Sequence, residues 1–127
     1  MIGPVSPLLV VADLSRAVAF YRDMLGFDVR ALVPDDEPFF AIVGRDQAQL
    51  LLKHVSSDVP PLPNSARHEW ARWDAFVHAP DPDGLAAELV TRGVRLCEPL
   101  DDHDDGLRGF AVQDADGYVL FFGRPSG

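Results

Sequence analysis

Internal repetition is the feature of this sequence that most constrains its fold. Residues 7–29, PLLVVADLSRAVAFYRDMLGFDV, return in weaker form at residues 74–96. The first copy predicts an apolar strand, a helix with apolar residues at i, i+3, i+4 and i+7, and a second strand of alternating residues. Gly26 and Gly93 follow the two predicted helices, 67 residues apart, where a left-handed residue commonly ends a helix. Repetition at a fixed offset indicates two copies of one structural unit.

The match between the copies continues beyond the helices. Residues 45–52 lie over residues 115–122 at an offset of 70, so each copy predicts a strand, a helix and three more strands. We therefore predict an α+β fold in which two βαβββ modules form a cupped mixed sheet with helices on its outer face. We expect one domain over residues 1–127, with module one at 1–55, a Pro- and Ser-rich linker at 56–70 and module two at 71–127.

Charge and composition exclude several classes of protein. Twenty acidic and eleven basic residues give a net charge of -9, the opposite of the positive field that binds nucleic acid. No apolar run approaches the roughly 18 residues of a membrane span, so we expect no membrane partner. The N-terminus has no recognisable export signal, which favours the cytoplasm. Cys97 is the only cysteine, so an intramolecular disulfide framework is excluded.

Motifs for catalysis are sparse. The four histidines form no HxH, HxxxH or HExxH pair, and there is no phosphate loop or nucleophile elbow. His68 and His103, each next to a carboxylate, would form an acid–base pair only if the fold brought them together. Cys97 lacks the surroundings of an activated thiol. The acidic stretch at 98–106 is typical of a solvated surface loop.

Three stretches resemble one known family: LVVADL at 9–14, AFYRDMLGF at 19–27 and FAVQDADGY at 110–118. Together they are similar to the vicinal oxygen chelate superfamily of glyoxalases, extradiol dioxygenases and bleomycin resistance proteins, over nearly the whole chain. Metal-dependent members hold a divalent ion with four His, Gln or Glu side chains, from the first and last strands of each half. The resemblance places those four positions at Ser6, Leu51, Trp73 and Phe121. The repeat makes Ser6 equivalent to Trp73 at the offset of 67, and Leu51 equivalent to Phe121 at the offset of 70.

These four residues do not make a set of metal ligands. Leucine, tryptophan and phenylalanine have no lone pair to offer a cation, and one serine hydroxyl is a poor ligand. We therefore predict no metal and no cofactor. An error of one residue in register would bring Asp74 and His78 forward as ligands, although such a slip turns every side chain to the other face of the sheet.

Aromatic and apolar side chains take the place of the metal ligands. Trp73 and Phe121 would stack on a flat ligand, because each large aromatic side chain can bury about 150–250 Å². A few polar groups would then fix its orientation. As an alternative, these aromatic residues fill the cup as ordinary core. The predicted ligand-binding residues are Ser6, Phe39, Phe40, Gln49, Leu51, Trp70, Trp73, His103, Arg108 and Phe121.

The metal-free bleomycin resistance branch of the superfamily looks closest. The resemblance implies a homodimer that sequesters a planar aromatic, cationic antibiotic or other natural product, with Phe40 stacking on it. Gly106 stands where bleomycin binders often carry tryptophan, so another planar natural product suits the chain equally. Two alternatives stay open. One is a glyoxalase- or dioxygenase-like enzyme with a displaced metal site or metal-free chemistry, and the other is an interaction domain whose cup is filled.

Overall fold

A computed structural model describes all residues from 1 to 127, which divide into two compact units, Met1–Leu62 and Pro63–Gly127. The first unit contains β1 (Leu8–Val10), α1 (Leu14–Ala19), β2 (Asp28–Val33), β3 (Phe40–Arg45) and β4 (Ala48–Lys53). The second contains β5 (Ala75–His78), α2 (Pro82–Thr91), β6 (Leu96–Asp102), β7 (Leu107–Gln113) and β8 (Val119–Pro125), after a short 3₁₀ turn at Asn64–Ala66.

The two units share one topology. The strand order is β1-β4-β3-β2 in the first sheet and β5-β8-β7-β6 in the second. In each sheet the first strand runs parallel to the last, and the remaining pairs are antiparallel. The predicted α+β class with two βαβββ modules is confirmed.

Alternation along the strands separates two faces of the first sheet. Leu50 and Leu52 of β4 are buried on the face that packs against α1, whereas Gln49 and Leu51 are half-buried on the other face. Asp13 begins α1, because its carboxylate accepts a hydrogen bond from the Arg16 backbone N–H at 3.2 Å.

The second sheet repeats this division. Phe110 of β7 and Phe122 of β8 stack at 5.3 Å between ring centroids, on the face covered by α2. Asp81 begins α2 by accepting from the Gly84 backbone N–H at 3.1 Å. Phe121 directly precedes Phe122 in β8. Because successive residues of a strand point to opposite faces, Phe121 projects from the face that α2 leaves uncovered.

An extra residue in the first helix shifts the register of the repeat. α1 continues into a π-helical turn at Phe20–Met24, whereas α2 has no such turn. Thirteen steps along the chain lead from the capping Asp13 to Gly26, but only twelve lead from Asp81 to Gly93. The offset between the copies is therefore 68 before the helices and 67 after them, because a π-helical turn holds one more residue than an α-helical turn.

Backbone hydrogen bonds confirm the offset of 68. Val11 donates to the Lys53 carbonyl and Ala79 donates to the Gly123 carbonyl, both at 2.9 Å. Lys53 and Gly123 are 70 residues apart, as the sequence predicts, so Val11 corresponds to Ala79. The predicted equivalence of Ser6 and Trp73 is therefore wrong by one residue. By the same offset, Ser6 corresponds to Asp74.

The acidic stretch at 98–106 is a second difference from prediction. Residues up to Asp102 belong to β6, and only the turn from His103 to Gly106 is a loop. The pairing of β6 with β7 shifts register twice, between Leu96 and Glu98 and again between Glu98 and Asp101. Apolar and polar residues do not alternate along β6, and the bulges accommodate this irregularity. The sequence pattern therefore did not predict a strand here.

Candidate functional site

An aromatic cluster of Trp73, Phe76 and Phe121 covers the face of the second sheet that lies away from α2. The Trp73 and Phe121 rings stack with centroids 4.3 Å apart and an interplanar angle of 28°. Phe76 pairs across from Phe121 in the sheet, and their rings stack at 5.5 Å and 27°. Stacked and offset rings are favourable arrangements for aromatic side chains. The cluster is thus a continuous aromatic layer, in which Phe121 is fully buried and the partly buried Trp73 and Phe76 pack against it.

Glycine on the neighbouring strands makes room for the central ring. A Cβ atom added at Gly109 would lie 2.8 Å from Phe121 Cε1, and one added at Gly123 would lie 2.5 Å from the same atom. Both distances are far shorter than a normal carbon–carbon contact. The absence of side chains at these two positions lets Phe121 lie flat against the sheet.

Hydrogen bonds to the backbone fix the start of β5 and, with it, Trp73. The Asp74 carboxylate accepts from the backbone N–H groups of Asn64 and Val119, both at 2.8 Å. The Asn64 side-chain amide donates to the Trp73 carbonyl at 3.1 Å. The chain bends at Asp74, before the strand begins. This bend explains why Trp73 reaches Phe121 although simple alternation would place it on the opposite face.

Arg72 connects the cluster to charged groups. Its guanidinium lies 4.7 Å from the centroid of the Trp73 ring, within the range of a cation–π contact. The same guanidinium donates two hydrogen bonds to the Glu98 carboxylate, at 3.0 Å and 2.6 Å, which raise the pKa of Arg72. A bidentate pair of this kind has a defined geometry, so the indole is held between fixed neighbours.

An acidic notch lies beside the cluster, with a volume of about 530 Å³. This size falls within the range of sites that hold small molecules. Carboxylates dominate its lining, so the notch is suited to positive charge. The residues that line it are Arg72, Glu98, Pro99, Asp101, His103, Asp104 and Asp105.

His103 belongs to both the notch and the edge of the cluster. Its ring meets the Phe121 ring edge-on, with centroids 5.5 Å apart. Its Nε2 lies 3.0 Å from the Gly109 carbonyl oxygen. Because a carbonyl can only accept, Nε2 carries the proton of this hydrogen bond. The fold brings together three of the predicted residues here, namely Trp73, His103 and Phe121.

A second group of predicted residues meets in the first unit. Ser6 Oγ lies 3.3 Å from Gln49 Nε2, which donates to it. Phe40, Gln49 and Leu51 project from the half-buried face of the first sheet, away from α1. Phe39 is exposed over 48% of its surface.

Two predicted residues lie apart from these groups. Trp70 is 83% exposed, and its ring contact is with His68, at 5.7 Å. Arg108 lies on the α2 side of the second sheet, where its guanidinium donates to both Asp83 oxygens at 2.9 Å and 2.7 Å. This pairing raises the pKa of Arg108 and lowers the pKa of Asp83. Arg108 directly precedes Gly109 in β7. Because Gly109 faces the cluster, Arg108 points to the opposite face of the sheet.

The side chains considered for metal binding or covalent chemistry make other contacts in the structure. Both oxygens of the Asp74 carboxylate accept from backbone N–H groups, and the His78 ring packs edge-on against Phe76 at 4.8 Å. No group of three or more His, Cys, Asp or Glu side chains has the geometry to hold a metal ion. Desolvation, followed by the charge of Glu98, raises the pKa of Cys97, which is the reverse of thiol activation.

Sequence reasoning missed Phe76, Arg72 and Glu98 as parts of the site. Phe76 would have been found with the offset of 68, because it then corresponds to Leu8 on the uncovered face of the first sheet. Arg72 and Glu98 are 26 residues apart in the chain, and nothing local in the sequence marks them as partners.

Comparison with known proteins gives a family match. A model of the Glyoxalase/Bleomycin resistance protein/Dioxygenase superfamily matches residues 2–122. A search of curated proteins found no significant match. None of the helices is long and apolar enough to cross a membrane.

Several solved structures share the fold. TioX from Micromonospora sp. ML1 is 21% identical, with a TM-score of 0.74 over 97% of this chain and 99% of that protein. TnmS3, an antibiotic binding protein from Streptomyces sp. CB03234, is 24% identical, with a TM-score of 0.73 over 98% of both chains. A bleomycin-binding protein from Streptomyces verticillus, complexed with copper(II)-bleomycin, is 24% identical, with a TM-score of 0.66 over 96% of this chain and 97% of that one.

Proposed function

Because the chain belongs to the Glyoxalase/Bleomycin resistance protein/Dioxygenase superfamily, we propose that it binds and sequesters a planar aromatic small molecule, an antibiotic or related natural product, without altering it chemically. The observation that carries this proposal is the stacked aromatic cluster beside the acidic notch. Aromatic rings bind flat ligands by stacking and desolvation, and the carboxylates attract a positively charged substituent.

The similar structures support a binding role. TnmS3 is described as an antibiotic binding protein, and the Streptomyces verticillus protein was solved with copper(II)-bleomycin. Within the proposal, Trp73 and His103 contact the ligand in the second unit, and Phe121, which is fully buried, supports the Trp73 ring by stacking on it. Ser6, Phe40, Gln49 and Leu51 form a separate candidate surface, which belongs to the first unit alone. Phe39 is exposed beside Phe40, and Trp70, whose ring contacts His68, lies outside the proposed contacts.

We also propose that the protein works as a homodimer. Ile2, Val5 and Leu8 are 93%, 88% and 54% exposed, and β1 is an edge strand of its sheet. An exposed apolar edge favours association with a second chain. Sedimentation equilibrium tests this proposal, since a monomer at micromolar concentration would contradict it. A cytoplasmic location remains a prediction from the sequence.

Ligand binding is tested with flat aromatic ammonium compounds and purified protein. A true ligand quenches tryptophan fluorescence and stabilises the fold by about 2.7 kcal/mol at a hundredfold excess over its Kd. Trp73→Leu should weaken binding by at least the contribution of one aromatic pair, about 0.5–1.5 kcal/mol. Trp70→Leu is the matched control, because Trp70 is exposed and outside the cluster.

Two results would contradict sequestration. Equal loss of affinity in the Trp73→Leu and Trp70→Leu variants would show that the cluster is not the binding surface. Mass spectrometry of the recovered ligand tests the second point, because a sequestering protein returns its ligand unchanged and an enzyme of this family would return a product.

A further inference from the structure

A row of three polar side chains crosses the uncovered face of the first sheet. This polar row consists of Arg30 of β2, Gln49 of β4 and Ser6, which precedes β1. Between them, Gly44 of β3 pairs with Gln49 in the sheet, and a Cβ atom added at Gly44 would overlap the Arg30 guanidinium. The absence of a side chain at Gly44 therefore lets Arg30 cross β3 and reach Gln49.

Hydrogen bonds hold the polar row in place. Arg30 donates from Nη2 to the Asp46 carbonyl at 2.9 Å and from Nη1 to Gln49 Oε1 at 3.4 Å. Gln49 Nε2 donates in turn to Ser6 Oγ at 3.3 Å. The guanidinium is thus positioned by two acceptors, and both ends of the Gln49 amide have a partner.

The polar row has more donors than acceptors. Each of its oxygens already accepts a hydrogen bond, as does the Asp46 carbonyl. A guanidinium has five N–H donors, of which Arg30 uses two, and the Ser6 hydroxyl proton has no acceptor. Because charge-assisted hydrogen bonds to a cation are the strong ones, the remaining donors suit a negatively charged acceptor.

The charge of Arg30 is not neutralised by the protein. Several other arginines form ion pairs with carboxylates, namely Arg22, Arg72, Arg92 and Arg108. Arg30 bonds only to a backbone carbonyl and a side-chain amide. Asp28 lies opposite Gly44 in the sheet, but it does not pair with Arg30. Because Arg30 is exposed, a dissolved anion can reach it.

Apolar side chains lie next to the polar row on the same face. Ile42 of β3 and Leu51 of β4 pair with each other and are half-buried. Each is two residues from a member of the Gly44–Gln49 pair, which corresponds to roughly 7 Å along a strand. A molecule with an acid group and a small apolar body would therefore span both rows.

We propose that this face of the first sheet binds a small organic carboxylate. The acid group accepts hydrogen bonds from Arg30 and Ser6, and the apolar body covers Ile42 and Leu51. A guanidinium presents parallel N–H groups that match the two oxygens of a carboxylate. This inference goes beyond the proposed function, because it assigns to the first unit a ligand of opposite charge.

The test compares cyclohexanecarboxylate with cyclohexanecarboxamide. The two probes have the same shape, only the first is charged, and neither is a flat aromatic molecule. NMR titration of ¹⁵N-labelled protein at low salt measures both affinities, because salt weakens exposed charge interactions. The carboxylate should bind at least about tenfold more tightly than the amide. It should also shift the Arg30 Nε–H and Gln49 side-chain amide signals.

Variants of Arg30 separate the site from the overall charge of the protein. Arg30→Gln removes the charge and should bind both probes equally. Arg30→Lys keeps the charge but not the parallel N–H groups, so it should retain only part of the preference for the carboxylate. Arg67→Gln is the matched control, because it removes one positive charge from an exposed residue of the second unit. It should retain the full tenfold preference.

Two results would overturn this inference. One is equal binding of the carboxylate and the amide to the natural protein. The other is an equal loss of preference in Arg30→Gln and Arg67→Gln, since the carboxylate would then respond only to net charge. Binding of flat aromatic ammonium compounds should be unchanged in Arg30→Gln, so this inference and the proposed function can fail separately.

Discussion

Replacing Asp74 with a neutral side chain should strongly destabilise the second unit. The carboxylate accepts two hydrogen bonds at 2.8 Å, from the backbone N–H groups of Asn64 and Val119. Val119 is buried, with 6% of its surface exposed. Asp74→Ala leaves both donors unpaired, and each costs about 1–3 kcal/mol. Because Asn64 is only partly buried, we expect a total loss of about 2–4 kcal/mol.

A conservative replacement separates the two hydrogen bonds. Asp74→Asn keeps one acceptor oxygen and replaces the other with a donor, so it should cost about half as much, roughly 1–2 kcal/mol. Asp58→Ala is the control, because Asp58 is exposed, and surface substitutions of this kind usually change stability by less than about 0.5 kcal/mol.

Urea unfolding followed by circular dichroism and by tryptophan fluorescence measures these differences. Two probes are needed because the transitions of the two units coincide only if unfolding is two-state. A loss from Asp74→Ala no larger than that from Asp58→Ala would refute the structural role of the carboxylate. Stoichiometric metal that is lost in Asp74→Ala would also refute it, and would assign Asp74 to a metal site instead.

Two further predictions concern the aromatic face and its surroundings. Gly109→Ala places a methyl group 2.8 Å from both Gly123 Cα and Phe121 Cε1 and still closer to the Phe122 carbonyl oxygen. It should therefore cost at least about 1–3 kcal/mol in urea unfolding, whereas Gly3→Ala, with no atom within 4 Å, should be neutral; equal effects would contradict the packing described here. Cys97 is exposed as a residue, but desolvation of its thiol raises the pKa and lowers the thiolate fraction at neutral pH. Its alkylation by iodoacetamide at pH 7.5 should be slower than that of a cysteine peptide, with a midpoint at higher pH, and a faster reaction would point to an activated thiol.

The candidate site was partly predictable from the sequence. Trp73 and Phe121 were predicted to share one surface, and the structure stacks them on each other. The match of Leu51 to Phe121 also agrees with the backbone pairing, because Leu51 pairs with Leu8 and Phe121 pairs with the corresponding Phe76. The offset of 70 holds because neither copy has an inserted residue between these strands. Whether these residues bind a ligand remains a prediction. Arg108 was placed in the same group, but it lies on the α2 side and pairs with Asp83.

The internal repeat, the order of the elements and the helix caps were determined by the sequence alone, because apolar periodicity and capping residues are local properties. The register of β5 was decided only in three dimensions. A π-helical turn adds one residue to the first helix without disturbing its apolar pattern. The offset of 67 is therefore correct for residues after the helices but wrong by one for residues before them. The bend at Asp74, held by Asn64 and Val119, then returns Trp73 to the face of Phe121. Hydrogen bonds between residues 45 positions apart leave no trace in local sequence patterns, and these bonds decide where the indole lies.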